Sequence, residues 1–381
     1  MSKTIRTITI GLLVVAGLAL SFGAGCALGI NASPSTDLAL EVVEEVWGII
    51  FEDYVDRDRL DASVLSRAAI EGMVEALDDP YTSYLDTQTY QLKSSRLEGK
   101  FEGIGAYVGI RDEQLMIIAP IPGTPAAEAG IRSGDIVLEI DGLSTAEMSL
   151  DEAVLHMRGP KGTAVRLLIL HQGETEPVEI EIIRAEIEVP SVYFEMREDI
   201  AYINITHFTE RTNDELSPVL EGITQEAATG IILDLRSNPG GLLDVVVEVA
   251  SRFLKEGVVV NVVDNQGRQT SLSVKPQSIT TALPLVVLTD NYSASGSEVL
   301  AGALQDHARA TIIGTNTYGK GSVNTLHRLK DNSGLYITTA RWLTPDGRLI
   351  EGEGISPDYE LELEGEDAIQ WAIDYLHGHK R

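Results

Sequence analysis

Two stretches of this chain follow one plan, and together they restrict the folds open to it. Residues 283–288 are apolar and read as a buried strand; residues 299–304 read as a helix packed on one face. Between them stands Asn291-Tyr292-Ser293-Ala294-Ser295-Gly296-Ser297-Glu298. The second stretch runs through an apolar strand at 230–236, the turn Ser237-Asn238-Pro239-Gly240-Gly241, and a helix over 242–254. Further strands are expected at 201–208, 258–263, 311–315 and 335–342, with helices over 213–228 and 367–376. Strands alternating with helices imply a mixed α/β layer fold.

The turn residues have chemical consequences. Ser295 falls where a strand turns into a helix, which exposes a hydroxyl and aims the free N–H groups of the helix N-terminus at the same place. A nucleophile beside preorganised donors suits acyl transfer. A serine hydroxyl needs a base, and no motif pairs a histidine with Ser295. Lys320 stands between Gly319 and Gly321, after a second apolar strand at 310–313. A lysine pressed into an apolar pocket loses hydration, its pKa falls, and the neutral amine can take a proton. The alternative is structural. Ser295 and Glu298 have capping-box spacing, and Lys320 alone would be an ordinary turn lysine. The Gly240-Gly241 turn likewise offers backbone N–H groups to an anionic oxygen, or is a plain strand-to-helix turn.

The runs Ser293-Ala294-Ser295-Gly296-Ser297-Glu298 and Gly319-Lys320-Gly321-Ser322-Val323 are 25 residues apart, counted from Ser295 to Lys320. In this order and spacing they resemble the carboxy-terminal processing proteases, serine peptidases with a Ser–Lys dyad. The resemblance implies Ser295 as nucleophile and Lys320 as general base. It also implies oxyanion donors from Gly240, with Gly241 in reserve, and from the backbone of Gly296. The family has a glutamine four residues after the lysine; this chain has the shorter Asn324, which retains an amide to orient the amine. Asp306 matches an acidic family position and is expected to support the fold near its helix end. Asp79-Pro80-Tyr81-Thr82-Ser83-Tyr84-Leu85 and Gly352-Glu353-Gly354-Ile355-Ser356-Pro357-Asp358 are also similar to family signatures.

Between these parts lies a second unit. Gly103 and Gly105 flank Ile104 ahead of a strand, where backbone N–H groups can converge on a carboxylate. Residues 99–187 resemble a PDZ domain, the module that captures chain ends by strand addition. The resemblance implies a carboxylate-binding loop at Gly103, Ile104, Gly105 and Ala106. It also implies a pairing strand that includes Tyr107 and Val108, and a groove helix over 150–157 that offers Val154 and Leu155. Protein or peptide substrates with a free C-terminus follow as partners. The expected organisation is a leader and linker (1–35), a helical region (36–98), the PDZ unit (99–187) and a protease core with a C-terminal helix (188–381). A PDZ scaffold or chaperone with an inactive protease core is the alternative function.

The chain has 58 acidic and 29 basic side chains and a net charge of -29, which argues against nucleic acid and against charge-driven binding to anionic membranes. No His/Cys cluster has metal-ligand spacing and no nucleotide fingerprint stands out, so no metal or cofactor is expected. Lys3 and Arg6 precede an uncharged run over residues 7–32. As a helix, residues 8–30 would extend about 34 Å, enough to cross a bilayer. An uncleaved signal anchor, a cleaved signal peptide ending near Ala24 or Ala27, and lipidation at Cys26 all fit this run. Each puts the remainder in the cell envelope, outside the cytoplasmic membrane. Apolar and acidic residues alternate at helical spacing over 37–77, giving two or three helices that end at Asp78-Asp79-Pro80 and offer a surface for a homo-oligomer.

Overall fold

The computed structural model describes residues 34–378 apart from 112, 363 and 364. The charged and apolar leader, including Cys26, lies outside the described residues. Among the described residues no helix is long and apolar enough to cross a membrane. The chain divides into two compact units, residues 1–72 and 73–381.

The first unit contains the helix Pro34–Asp53, a 3-10 turn Arg57–Arg59 and most of the helix Ala62–Glu75. Trp47 and Phe51, one turn apart, bring their ring centroids within 5.0 Å. Leu38, Leu40, Val43 and Val46 are exposed on the long helix.

The second unit is built on a six-stranded sheet. Its order is Val192–Arg197, Ile200–Ile205, Gly230–Asp234, Leu285–Thr289, Thr311–Gly314, Tyr359–Glu360. All neighbours pair in parallel except the first two strands, which are antiparallel. Both faces are covered, which explains why the central strands read as unbroken apolar runs. Leu285 and Val287 face a core shared with the helices Thr212–Gln225, Leu243–Phe253 and Gly296–Asp306. Val286 and Leu288 face the other way, onto Ile369, Ile373 and Leu376 of the helix Gly365–Gly378. Each such buried aliphatic side chain contributes about 1.5–3 kcal/mol. A five-stranded antiparallel sheet joins this core. In it Ser322–Arg328 and Ser83–Leu85 both pair with Gly334–Leu343, which also pairs with Val258–Asp264; Gln269–Ser273 follows outside.

The inserted unit has its own sheet, in the order Ala106–Arg111, Gln114–Pro120, Ile136–Ile140, Ala164–Leu170, Val178–Ile183. Ile117, Ile140, Val165, Leu167 and Ile169 fill its centre and are all essentially inaccessible. The helix Leu150–Met157 starts with a capping box: Ser149 N–H donates to Glu152 (2.8 Å) and Glu152 N–H donates to Ser149 Oγ (3.3 Å). Among the described residues Ala106–Arg111 is an edge strand with one side unpaired. The unit enters and leaves through a two-stranded ribbon, Lys100–Gly103 against Ala185–Glu188.

The 36–98 region holds one helix beyond the Asp78-Asp79-Pro80 stop, where no separate helix was expected. Thr87–Glu98 begins at Asp86, whose carboxylate accepts Thr89 N–H at 2.7 Å, and ends at Gly99 with φ 72°. A Cβ at Gly99 would lie 2.7 Å from Thr209 Oγ1, so only glycine fits this left-handed stop.

Candidate active site

The parallel strands Gly230–Asp234 and Leu285–Thr289 are neighbours, so the turns leaving their C-terminal ends meet, as expected for ligand sites on open α/β sheets. Asn238 stitches the two turns together. Its carbonyl accepts Ala294 N–H and Ser297 Oγ, both at 2.9 Å, and its side-chain amide donates to Ile205 O at 2.7 Å. Ser293 Oγ adds a bond of 2.8 Å to Leu235 O.

Ser295 occupies the tip of its turn with φ 55° and ψ -114°, the mirror of the first central position of a type II turn. A non-glycine residue there is strained by about 1–3 kcal/mol and persists only where its surroundings over-determine it. The sharp strand-to-helix turn it creates is the geometry that lifts a serine hydroxyl clear of the backbone. Besides the bonds to Asn238 and Leu235, one carboxylate holds it. Oε2 of Glu298 accepts the N–H of Ser295 (2.7 Å) and the N–H of Lys320 (2.8 Å). Oε1 accepts Thr317 Oγ1 and the N–H of Gly319, both at 2.6 Å. Glu298 is wholly inaccessible to solvent. Burial pushes its carboxyl up from the ordinary value while the four donors pull the other way. Sequence reasoning assigned Glu298 only a helix-capping role. The wider role depends on donors 19 to 22 residues away, which spacing alone does not reveal.

Lys320 is carried by the turn before Ser322–Arg328. Its ammonium nitrogen lies 5.2 Å from the ring centre of Tyr81 and 5.7 Å from that of Tyr336. Burial lowers its pKa from the ordinary lysine value, opposed by the charges of Glu351, Glu298 and Asp79. Gly321 allows the turn to press on its neighbour, because a Cβ there would come 2.2 Å from Glu351 N. Ser295 and Lys320 line one cavity of about 680 Å³, with Gly240, Gly241, His207 and Tyr336 in its wall.

The same cavity reaches the inserted unit. Ile104, Gly105, Ala106, Tyr107, Val108 and Val154 line it; Gly103 and Leu155 do not. Gly103 closes the ribbon, where its backbone pairs with Ala185. The Ile104–Gly105 loop is fixed from behind: Ala126 N–H donates to Ile104 O (2.8 Å) and Thr124 Oγ1 donates to Gly105 O (2.8 Å).

The glycine donors sort differently from expectation. Gly240 N–H donates to Asn238 Oδ1 at 2.8 Å, so it is already engaged. Gly241 N–H has no acceptor among the described residues, and it lies 3.4 Å from where a Cβ on Gly296 would stand. Gly296 opens the serine helix, so its N–H has no partner within that helix. Asn324 does not line the cavity. Its amide donates to Tyr81 O (3.1 Å) and Thr338 Oγ1 (3.0 Å), and so holds the segment whose ring faces Lys320. Asp306 stands at the far end of the serine helix, paired with Arg348 and accepting Asp346 N–H at 2.9 Å. His207 was not singled out from the sequence. It lines the cavity, its Nδ1 lies 2.9 Å from Thr206 Oγ1, and burial lowers its pKa.

Comparison with known proteins gives three matched segments. Residues 199–361 match peptidase family S41, residues 116–170 match a PDZ domain, and residues 29–89 match the N-terminal domain of the activating protease CtpB. The chain is 40% identical over 310 residues to a carboxy-terminal-processing protease of Bartonella bacilliformis, covering 79% of this chain and 70% of that one. It is 38% identical over 323 residues to a carboxyl-terminal-processing protease of Synechocystis, covering 83% and 75%. Among solved structures it is similar to a photosystem II D1 C-terminal processing protease, with a TM-score of 0.52, 29% identity, and coverage of 85% of this chain and 89% of that one. An S41 protease structure from Bacteroides fragilis shares the fold at 17% identity and a TM-score of 0.54, covering 88% and 97%.

Proposed function

Because the chain belongs to the carboxy-terminal processing proteases of peptidase family S41, we propose that it is a serine endopeptidase that cuts proteins near their C-termini through a Ser295–Lys320 dyad. The observation that carries this reading is the shared carboxylate of Glu298, which binds the backbone of the nucleophile's turn and of the lysine's turn through one oxygen. Two residues 25 positions apart are thereby fixed to the wall of one cavity.

Neutral Lys320 takes the Ser295 proton as the hydroxyl attacks the scissile carbonyl. The C–O bond forms and the carbonyl electron pair moves onto its oxygen. The N–H groups of Gly241 and Gly296 receive that oxyanion, with Gly241 in place of Gly240 because the latter is bonded to Asn238. Each such donor is worth about 3 kcal/mol in comparable sites. Collapse of the intermediate breaks the C–N bond, and Lys320 passes its proton to the departing amine. Water, deprotonated by Lys320, then hydrolyses the acyl-enzyme.

In this reading the PDZ unit holds the substrate's terminal carboxylate at the Ile104–Gly105 loop. The tail adds alongside the free side of Ala106–Arg111, which lines the same cavity as Ser295. The leader places the enzyme in the cell envelope, and the exposed apolar residues of Pro34–Asp53 provide a contact for a second copy.

The test is intact-mass analysis of an unstructured protein incubated with wild type and with Lys320→Ala. Cleavage near the C-terminus by wild type alone is the expected result. Uncut protein in both samples favours a tail-binding adaptor. Because His207 lines the cavity, a histidine-based mechanism is the competing chemistry. Retained cleavage by Lys320→Ala together with its loss in His207→Ala would establish it.

A further inference from the structure

The cavity wall reverses the charge balance of the chain. Acidic side chains outnumber basic ones 58 to 29 overall. Along the cavity stand Lys93, Arg96, Lys100, Arg158 and Lys320, against Asp151 alone. Lys100 pairs with Glu186 at 3.9 Å. Among the described residues, no carboxylate comes within ion-pair distance of Lys93, Arg96 or Arg158.

Two of these three cations rest on aromatic rings. The Lys93 ammonium sits over the Tyr336 ring, 3.5 Å from its centre, on the ring that Lys320 also faces. The Arg158 guanidinium stacks on Phe101 at 4.4 Å and donates to Ser95 Oγ at 2.7 Å. Burial lowers the pKa of both, taking Arg158 down to about 10; the charge of Lys320 adds to the effect on Lys93, and Arg96 adds to it on both. The row therefore starts beside the Gly103–Gly105 segment, where Arg158 Cα lies 3.6 Å from the position of a Gly103 Cβ. It ends beside Lys320. Lys93 and Arg158 are partly desolvated and Arg96 is exposed beside them; like charges so placed repel one another, and a negative ligand that bridges them relieves that cost.

We infer that the groove selects tails carrying acidic side chains between the terminal residue and the cut bond, their carboxylates meeting Lys93, Arg96 and Arg158. This inference rests on the tail-capture reading above. A positive cleft in a strongly negative molecule also focuses its field, so acidic tails are drawn to the mouth while the rest of the surface repels them.

The test separates binding from chemistry. Full-length protein carrying Ser295→Ala is titrated with fluorescent peptides that end in the same apolar residue. The penultimate stretch contains three Glu residues in one peptide and three Gln in the other, and each is made with a free and an amidated C-terminus. The expected result is about tenfold tighter binding of the Glu peptide at low salt, falling towards parity at high salt. Adding Arg96→Glu or Lys93→Gln is expected to remove that preference. Amidation is expected to weaken both peptides by the same factor, which separates the side chains from the terminal carboxylate. Equal binding of Glu and Gln peptides overturns the inference alone, as does a preference that survives both cation variants. Failure of every peptide to bind overturns tail capture itself and the inference with it.

Discussion

Glu298 and Lys320, 22 residues apart in the chain, are joined by a hydrogen bond of 2.8 Å from the lysine's backbone N–H to the carboxylate. The same oxygen takes the N–H of Ser295. Glu298→Gln puts an amide where only acceptors fit and leaves at least one buried donor unsatisfied. An unmade bond of this kind costs about 1–3 kcal/mol, more when the lost partner is charged. The variant is expected to lose about 3 kcal/mol of stability and at least tenfold in kcat. Urea midpoints and single-turnover rates check the two parts. A variant with wild-type stability and rate would mean the carboxylate is dispensable.

The acid limb of activity follows from Lys320. Burial lowers its pKa, so at a given pH a larger fraction of the amine is neutral than for a free lysine. With Lys320 as the base proposed above, turnover requires the neutral form, and kcat/KM is therefore expected to fall as pH drops through the lowered value. Glu351 favours the charged form of Lys320. Glu351→Gln is expected to move the acid limb to lower pH, read from kcat/KM profiles of the two proteins.

Neither glycine of the turn has room for a side chain. A Cβ at Gly241, where φ is 152°, would stand 2.0 Å from Phe208 O. Gly241→Ala is expected to lose at least about 3 kcal/mol in thermal or urea melts. At Gly240, with φ 96°, the added carbon would meet Gly296 N at 2.7 Å and Ser295 Cβ at 2.8 Å. Gly240→Ala is expected to displace the nucleophile and cut kcat about a hundredfold, because misplacement by an ångström has that effect.

Asn324 and Asp306 should differ in kind. Asn324→Ala releases Tyr81 O and Thr338 from the segment facing Lys320, and is expected to lower kcat several-fold with little change in KM. Asp306→Ala removes the acceptor of Arg348 and of Asp346 N–H at the remote helix end. It is expected to cost about 1–2 kcal/mol of stability and to leave kcat within twofold of wild type. Steady-state kinetics beside melting curves resolve the pair.

The core strands and the helices flanking the two turns were legible because burial on both faces writes itself as unbroken apolar runs, as at residues 285–288. The helix Leu150–Met157 appears with the bounds that the PDZ resemblance implied. Thr87–Glu98, inside the 36–98 helical region, was not resolved as a separate helix because it buries only Leu92 and so carries little apolar periodicity. The strand Ser322–Arg328 was missed because its half-buried residues alternate weakly. The four donors on Glu298, the engagement of Gly240 by Asn238, and the approach of His207 to the cavity depend on contacts far apart in sequence. No local pattern encodes them.

The ribbon formed by Lys100–Gly103 and Ala185–Glu188 brings the two ends of the inserted unit side by side, with Gly103 paired to Ala185. A chain that leaves and returns at one point can exchange what hangs there without rethreading the rest. On the tail-capture reading, recognition and cutting can therefore diverge independently: a different module spliced at this seam would redirect the scissors without resharpening the blade.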